Sequence, residues 1–346
     1  MSTWFKKYSL MIDLCAISLF TALLAMPLTS RLNVNLGIVQ WVEKATLAEN
    51  PTLFFVNPGN IDTRFFRQAL ILDRNNSRAH HWLGFANAKS GLLEKSVARW
   101  RLAGLTSSYF TAWGDWFQKL GNDEASLFWY KMALAFDPYW SDAWYHIGEI
   151  HSRKQNWDVA VEAYRNAINS NKFRNSGISD AYTQLGLIFQ FVEEHKNVSQ
   201  ALKMYNAALF QNDFASIQLH AEAYYKRGEI YRWQNRDPRE SIAEYNNALS
   251  IAPYHRWARL QLGNSLYQAY KDVELSVAQI QMALSNWPDD SSKKWPYRYL
   301  GDIFGAAGSP NQASEFYRKA LRFDPFDKEL RDRLRSLELQ AEEMSK

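Results

Sequence analysis

The chain has 346 residues, and its 40 Lys and Arg against 36 Asp and Glu leave a formal net charge of +4. The two signs are interspersed, which argues against a nucleic-acid binder, because such proteins concentrate Lys and Arg on one face or stripe. The single cysteine, Cys15, rules out a disulfide framework within the chain and leaves the redox compartment open.

Residues 1–32 differ from the rest. Trp4, Lys6 and Lys7 precede the apolar run from Leu10 to Leu28, in which Asp13 is the one charge. The run is long enough to cross a bilayer, for which roughly 20 apolar residues are needed. Two readings stand side by side. A cleaved signal peptide has a short apolar core and an A-x-A-like site, yet Ala25 is preceded two back by Leu23 and followed by Met26-Pro27. An uncleaved transmembrane helix is the expectation. Lys6 and Lys7 before the run, set against Arg31 and Lys44 after it, favour an N-terminus on the cytoplasmic side and the remainder of the chain outside the cytoplasm, as a single-pass membrane protein.

Helical periods then follow one another. Residues 33–76 read as a helix pair opened by an insert at 48–61, where Asn50-Pro51 and Asn57-Pro58-Gly59-Asn60 are turn signals around an apolar segment. From Ser77 the chain settles into a pattern carried by Leu83-Gly84, Ser96, Trp100 and Ala103. The next unit has Gly114, Phe117, Ser126, Tyr130, Ala133 and Pro138. The step from Gly84 to Gly114 is short, so a tight turn is expected around Gly104 to Ser108. Ser141 to Lys172 is the clearest unit, with Trp144, Ile147, Gly148 and His151 on one helical face and Ala160, Tyr164 and Ala167 on the next. Small residues let two backbones approach, and large ones fill the space around them.

The same arrangement recurs at Tyr182, Gly186, Ala201 and Tyr205, where three extra residues fall near Glu193 to Ser199. It recurs again at Tyr224, Gly228, Tyr245 and Pro253, at Gly263, Ile280 and Pro288, and at Tyr297, Gly301, Tyr317 and Pro325. Arg227 stands where the pattern has leucine, and Arg259 where it has tryptophan. After Pro325, residues 326–346 carry Leu330, Leu334, Leu337 and Ala341 on one face of an amphipathic helix. That segment is expected to cap the last unit with a polar outer side.

The spacing of Leu-Gly, Ala, aromatic, Ala and Pro resembles the tetratricopeptide repeat (TPR) pattern W-x2-L-G-x2-Y…A-x3-F…P. The resemblance implies an all-α superhelical solenoid of about seven to eight helix-turn-helix repeats over residues 33–325. With the N-terminal segment it resembles the membrane-anchored TPR proteins of bacterial envelopes.

No catalytic constellation accompanies the repeats. His146 and His151, in HIGEIH, are five apart and diverge on a helix, unlike the HExxH of a zinc enzyme. There is no GxSxG, P-loop or GxGxxG. The chain is therefore expected to be no enzyme and to need no cofactor or metal. In TPR arrays the first helix of each pair lines a concave groove. That register implies a partner-binding face made of Arg78, His81, Asp115, Tyr145, Glu149, Tyr225, Glu229, Asn264, Arg298 and Asp302, with Thr111 and Thr183 beside these ten. Tyrosines beside carboxylates suit an extended peptide segment. Two roles are expected in turn: a membrane-anchored scaffold for envelope complex assembly, or an accessory docking subunit of a polysaccharide or glycosylation enzyme system.

Overall fold

The computed structural model describes residues 30, 32–36, 63–234 and 238–344. Within them all regular structure is helical. The helices are α1 (Arg64–Leu72), α2 (Ser77–Lys89), α3 (Leu93–Leu102), α4 (Ser107–Lys119), α5 (Asp123–Phe136), α6 (Ser141–Arg153), α7 (Trp157–Ser170) and α8 (Ile178–Phe191). Then come α9 (Val198–Gln211), α10 (Ile217–Gln234), α11 (Pro238–Ile251), α12 (Arg256–Tyr270), α13 (Val273–Ser285), α14 (Lys294–Ala306), α15 (Pro310–Leu321) and α16 (Lys328–Met344). The expected spanning segment at 10–28 and the insert at 48–61 lie outside the described residues. Among the described residues no helix is long and apolar enough to cross a membrane.

The chain forms two compact units, Met1–Asn156 and Trp157–Lys346. The boundary falls in the turn between α6 and α7, inside the segment with the clearest repeat spacing. In the first unit, α2 packs on α3 and α4 on α5, with α1 and α6 at the two ends. In the second, α8/α9, α10/α11, α12/α13 and α14/α15 are successive antiparallel pairs, preceded by α7 and followed by α16.

Local signals set the helix ends. Asn76, Asn122, Asn197 and Asp272 accept from the backbone N–H three residues on, at 2.9–3.0 Å, which satisfies a donor that the helix itself leaves open. Gly104, at φ +74°, reverses the chain between α3 and α4 in the tight turn that the short spacing predicts. The three extra residues after Gly186 form a single 3-10 turn, Glu193–His195.

Packing within a pair follows one rule. The glycine of the first helix meets a large side chain of the second. A Cβ added to Gly84 would lie 2.3 Å from Trp100, on Gly114 2.3 Å from Tyr130, on Gly186 2.5 Å from Tyr205 and on Gly228 2.9 Å from Tyr245. Those four rings are fully buried. The two departures from the pattern are resolved by polar partners. Arg227 forms a two-pronged pair with Glu244 on α11, both bonds at 2.9 Å, and also reaches Asn206. Arg259 donates to the carbonyl of Pro253 at 2.6 Å and to Gln279 at 3.1 Å.

The connection from α9 to α10 is pinned to the start of α8. Buried Asp180 accepts from the backbone N–H groups of Gly177, Ala215 and Ser216, while Ser179 donates to the carbonyl of Ala208. At the other end of the unit, Leu330 of α16 is fully buried and packs, with Leu334 and Leu337, on Ala313, Tyr317 and Ala320 of α15.

Candidate partner-binding faces

The ten candidate residues sit at fixed offsets from the repeat glycines, on α2, α4 and α6 in the first unit and on α10, α12 and α14 in the second. Those offsets put them on one stripe of each helix. The structure determines what each can still offer a partner.

In the first unit the acidic candidates are already engaged. The Tyr130 hydroxyl donates to Oδ1 of Asp115 at 2.9 Å, with the side-chain amide of Gln118 2.8 Å away. Burial, then the Asp115 carboxylate, pushes the Tyr130 phenol far above its ordinary range, so it stays a donor. His146 lies between two carboxylates, with Nδ1 2.8 Å from Oε2 of Glu149 and Nε2 3.5 Å from Asp115. Its ring stacks on Tyr130 at 5.2 Å. Burial alone would lower its pKa, but the bond to Glu149 and the charges of Glu149, Asp115 and Asp142 outweigh that and raise it. His81 has the opposite surroundings. It is stacked on Trp82, touches Phe85 and Tyr109, and burial with Arg78 nearby lowers it to about 4. Tyr145 is 5% exposed and belongs to the interior. On the same helix Ala143, Ile147 and Ile150 are buried as well, while Trp144, His146 and Glu149 keep some exposure.

The second unit holds the other five. Tyr225 is also 5% exposed, with its ring against Tyr245 and His255. Glu229 accepts from Tyr245 at 2.8 Å and lies 3.7 Å from Nε of Arg232. Asn264 is buried on α12 and accepts from Gln268 at 3.4 Å. Arg298 pairs with Glu329 of α16 at 2.6 Å, and Asp302 accepts from both Tyr317 at 2.7 Å and Arg333 of α16 at 2.8 Å. The last helix thus occupies two of the candidates.

The same stripe carries residues that the pattern alone did not single out. Glu222 accepts from Nε2 of His255 at 3.0 Å and lies 3.5 Å from Nζ of Lys226. His255 Nδ1 in turn accepts from the backbone of Ala258, which fixes the tautomer. Burial raises the Glu222 pKa, but His255 and Lys226 more than reverse it and the net shift is down. Of these, Glu222 shares with Arg78 its place six residues before the repeat glycine, whereas His255 precedes α12 and has no counterpart among the candidates. Among the described residues no group of three or more His, Cys, Asp or Glu is set to hold a metal.

Comparison with known proteins bears on the fold. The tetratricopeptide repeat pattern matches residues 141–173, 221–255 and 300–327. No curated protein matches the chain by sequence. Solved structures share the fold. The Pseudomonas aeruginosa PilF structure is 15% identical with a TM-score of 0.52, over 68% of this chain and 97% of that one. PilW, described as a widely conserved type IV pilus biogenesis factor, is 16% identical with a TM-score of 0.50, over 65% of this chain and 97% of that one. A chain of the APC/C hetero-tetramer Cut9–Hcn1 is 15% identical with a TM-score of 0.50, over 80% of this chain and 52% of that one. The chain carries tetratricopeptide repeats, and its described residues adopt a TPR-like, all-helical fold.

Proposed function

We propose that the chain is a non-catalytic scaffold that binds segments of partner proteins along the first-helix stripes of its repeats. The observation that carries this reading is the row of carboxylates at equivalent offsets: Asp115 and Glu149 in one unit, Glu229 and Asp302 in the other, the last of them shared with Arg333 of α16. Tyrosine hydroxyls or His146 hold each in place, while 17–30% of each side chain stays exposed. Fixed carboxylates keep lone pairs for basic side chains or backbone amides and lose little entropy on binding.

In this reading residues 10–28 anchor the chain in a membrane, the repeats face away from the cytoplasm, and the scaffold serves an envelope complex. A pilus biogenesis role is the one named for PilW; at that identity the likeness is one of fold. The test is position-specific photocrosslinking in intact membranes. The reactive group is placed at Ala112 or Gln268 on the stripe and at Lys203 or Asn247 on second helices, all four exposed. Discrete products from the first two positions are expected. Products from the second pair alone would place binding elsewhere. An enzyme of polysaccharide assembly among the products would favour the accessory-subunit role.

A further inference from the structure

One edge of the first unit gathers the turns that link successive helix pairs, and contacts across those turns hold it together. His80 Nε2 donates to the carbonyl of Arg74 at 2.9 Å, and Arg99 donates to His80 Nδ1 at 3.2 Å, which joins the α1–α2 turn to the last turn of α3. Arg101 donates to the carbonyl of Phe136 at 3.4 Å, which joins the ends of α3 and α5.

Large apolar side chains stand out along this edge. Ile71 is 81% exposed, Leu72 52%, Leu102 63% and Tyr139 63%. Protein surfaces ordinarily carry such side chains singly, so a group of four on one edge marks a surface that something covers. Arg74 and Arg101 are exposed beside them. The nearby carboxylates of Asp73 and Asp137 turn back on their own backbone, each accepting from the N–H two residues on at 3.0 Å. The edge therefore combines apolar surface with positive charge.

The chain enters the first unit at this same edge. Asn76 Nδ2 donates to Ser30 Oγ at 2.6 Å, and Ser30 donates to the carbonyl of Ala69 at 3.4 Å. Ser30 and Asn76 are buried, and Val34, one turn on, packs among Phe66, Ala69, Ala79 and Leu83. The apolar run of the sequence ends at Leu28, two residues before Ser30. Two residues reach no further than about 7 Å even when fully extended. A bilayer that holds the run therefore begins close to the α1–α2 turn.

We propose that this edge lies on the bilayer surface, on the reading that residues 10–28 anchor the chain there. Ile71, Leu72, Leu102 and Tyr139 enter the interface, where a tyrosine suits both the apolar and the wet side. Arg74 and Arg101 meet the phosphates of anionic lipids. The anchor makes docking intramolecular, so a small patch is enough. Asp115 and Glu149 each lie eight residues into their helices, about 12 Å from the edge at the helical rise. Docking thus keeps the carboxylates of the first unit in water, at a fixed height above the membrane.

The test uses the full chain in vesicles of phosphatidylcholine and phosphatidylglycerol, with Cys15→Ser to remove the native thiol. An environment-sensitive fluorophore is attached at Ile71→Cys or Leu102→Cys and, as controls, at Leu92→Cys or Leu120→Cys. Leu92 and Leu120 are also exposed, but they lie in the turns at the opposite edge, between α2 and α3 and between α4 and α5. Brominated lipids are expected to quench the label at Ile71 and Leu102 and to leave the controls bright. The quenched fraction reads the ratio of docked to undocked chain. That ratio should fall about fivefold for each of Arg74→Gln and Arg101→Gln, since one arginine near an anionic surface contributes about 1 kcal/mol.

Vesicle-bound chain with no quenching at either edge, or with equal quenching at both, would reject docking by this edge and leave the anchor standing. Unchanged quenching in an Arg74→Gln/Arg101→Gln chain that melts as the wild type does would overturn the lipid-phosphate contact. Chain that fails to float with the vesicles would reject the anchor, and the proposal with it.

Discussion

Gly301 and Tyr317 share one space: a Cβ on Gly301 would lie 2.5 Å from Cε1 of Tyr317. Tyr317 is 4% exposed and its hydroxyl is tied to Asp302, so the ring has nowhere to go. Gly301→Ala is expected to cost on the order of 2–3 kcal/mol through overpacking. Gly305, one turn further along α14, has Ala313 Cβ at 3.6 Å and an open position. Gly305→Ala should instead be neutral or stabilise by up to about 1 kcal/mol, from helix propensity. Urea denaturation of the two variants measures both, and equal effects would contradict the packing.

The Arg227–Glu244 pair replaces an apolar contact with a half-buried ionic one. Burial raises the Glu244 pKa and Arg227 works against that shift. Arg227→Leu leaves Glu244 without its partner, an expected loss of about 3 kcal/mol. Adding Glu244→Leu should recover most of it, because two apolar side chains suit the site. A double-mutant cycle with no recovery would show that the two residues act independently.

The two histidines of the first unit give opposite pH dependence. His81 has a folded pKa of about 4, below its ordinary 6.5. The unfolded chain takes up a proton first, so stability falls as pH drops from 6.5 towards about 4. His146 is raised in the fold. Its contribution is fully present below 6.5 and is lost as pH rises through the folded value. Melting curves across that range should lose the acid-side decline in His81→Phe and the alkaline-side decline in His146→Gln.

The last helix tests packing against charge. Leu330→Ala opens a cavity between α15 and α16 and should cost about 3 kcal/mol. Arg333, with 41% of its side chain exposed, bonds Asp302 and Glu329. Arg333→Ala should cost no more than about 1 kcal/mol, since partly exposed pairs are screened. Thermal melts of the second unit's fluorescence compare the two.

The helices, their pairing and the glycine-to-aromatic rule were legible in the sequence. A period set by backbone geometry repeats at fixed spacing, and a small residue facing a large one is a local pattern that survives in any fold able to satisfy it. The tight turn at Gly104 and the added turn after Gly186 were legible for the same reason. The candidate stripe was legible only as a set of offsets. Tyr145 and Tyr225 are buried, and Arg298 and Asp302 are taken by Glu329 and Arg333, residues about thirty positions away. Which side chains a position faces depends on how neighbouring helices stack, and helical periodicity carries no information about that. The same holds for Arg227: its partners Glu244 and Asn206 belong to other helices, and only the tertiary structure decides them.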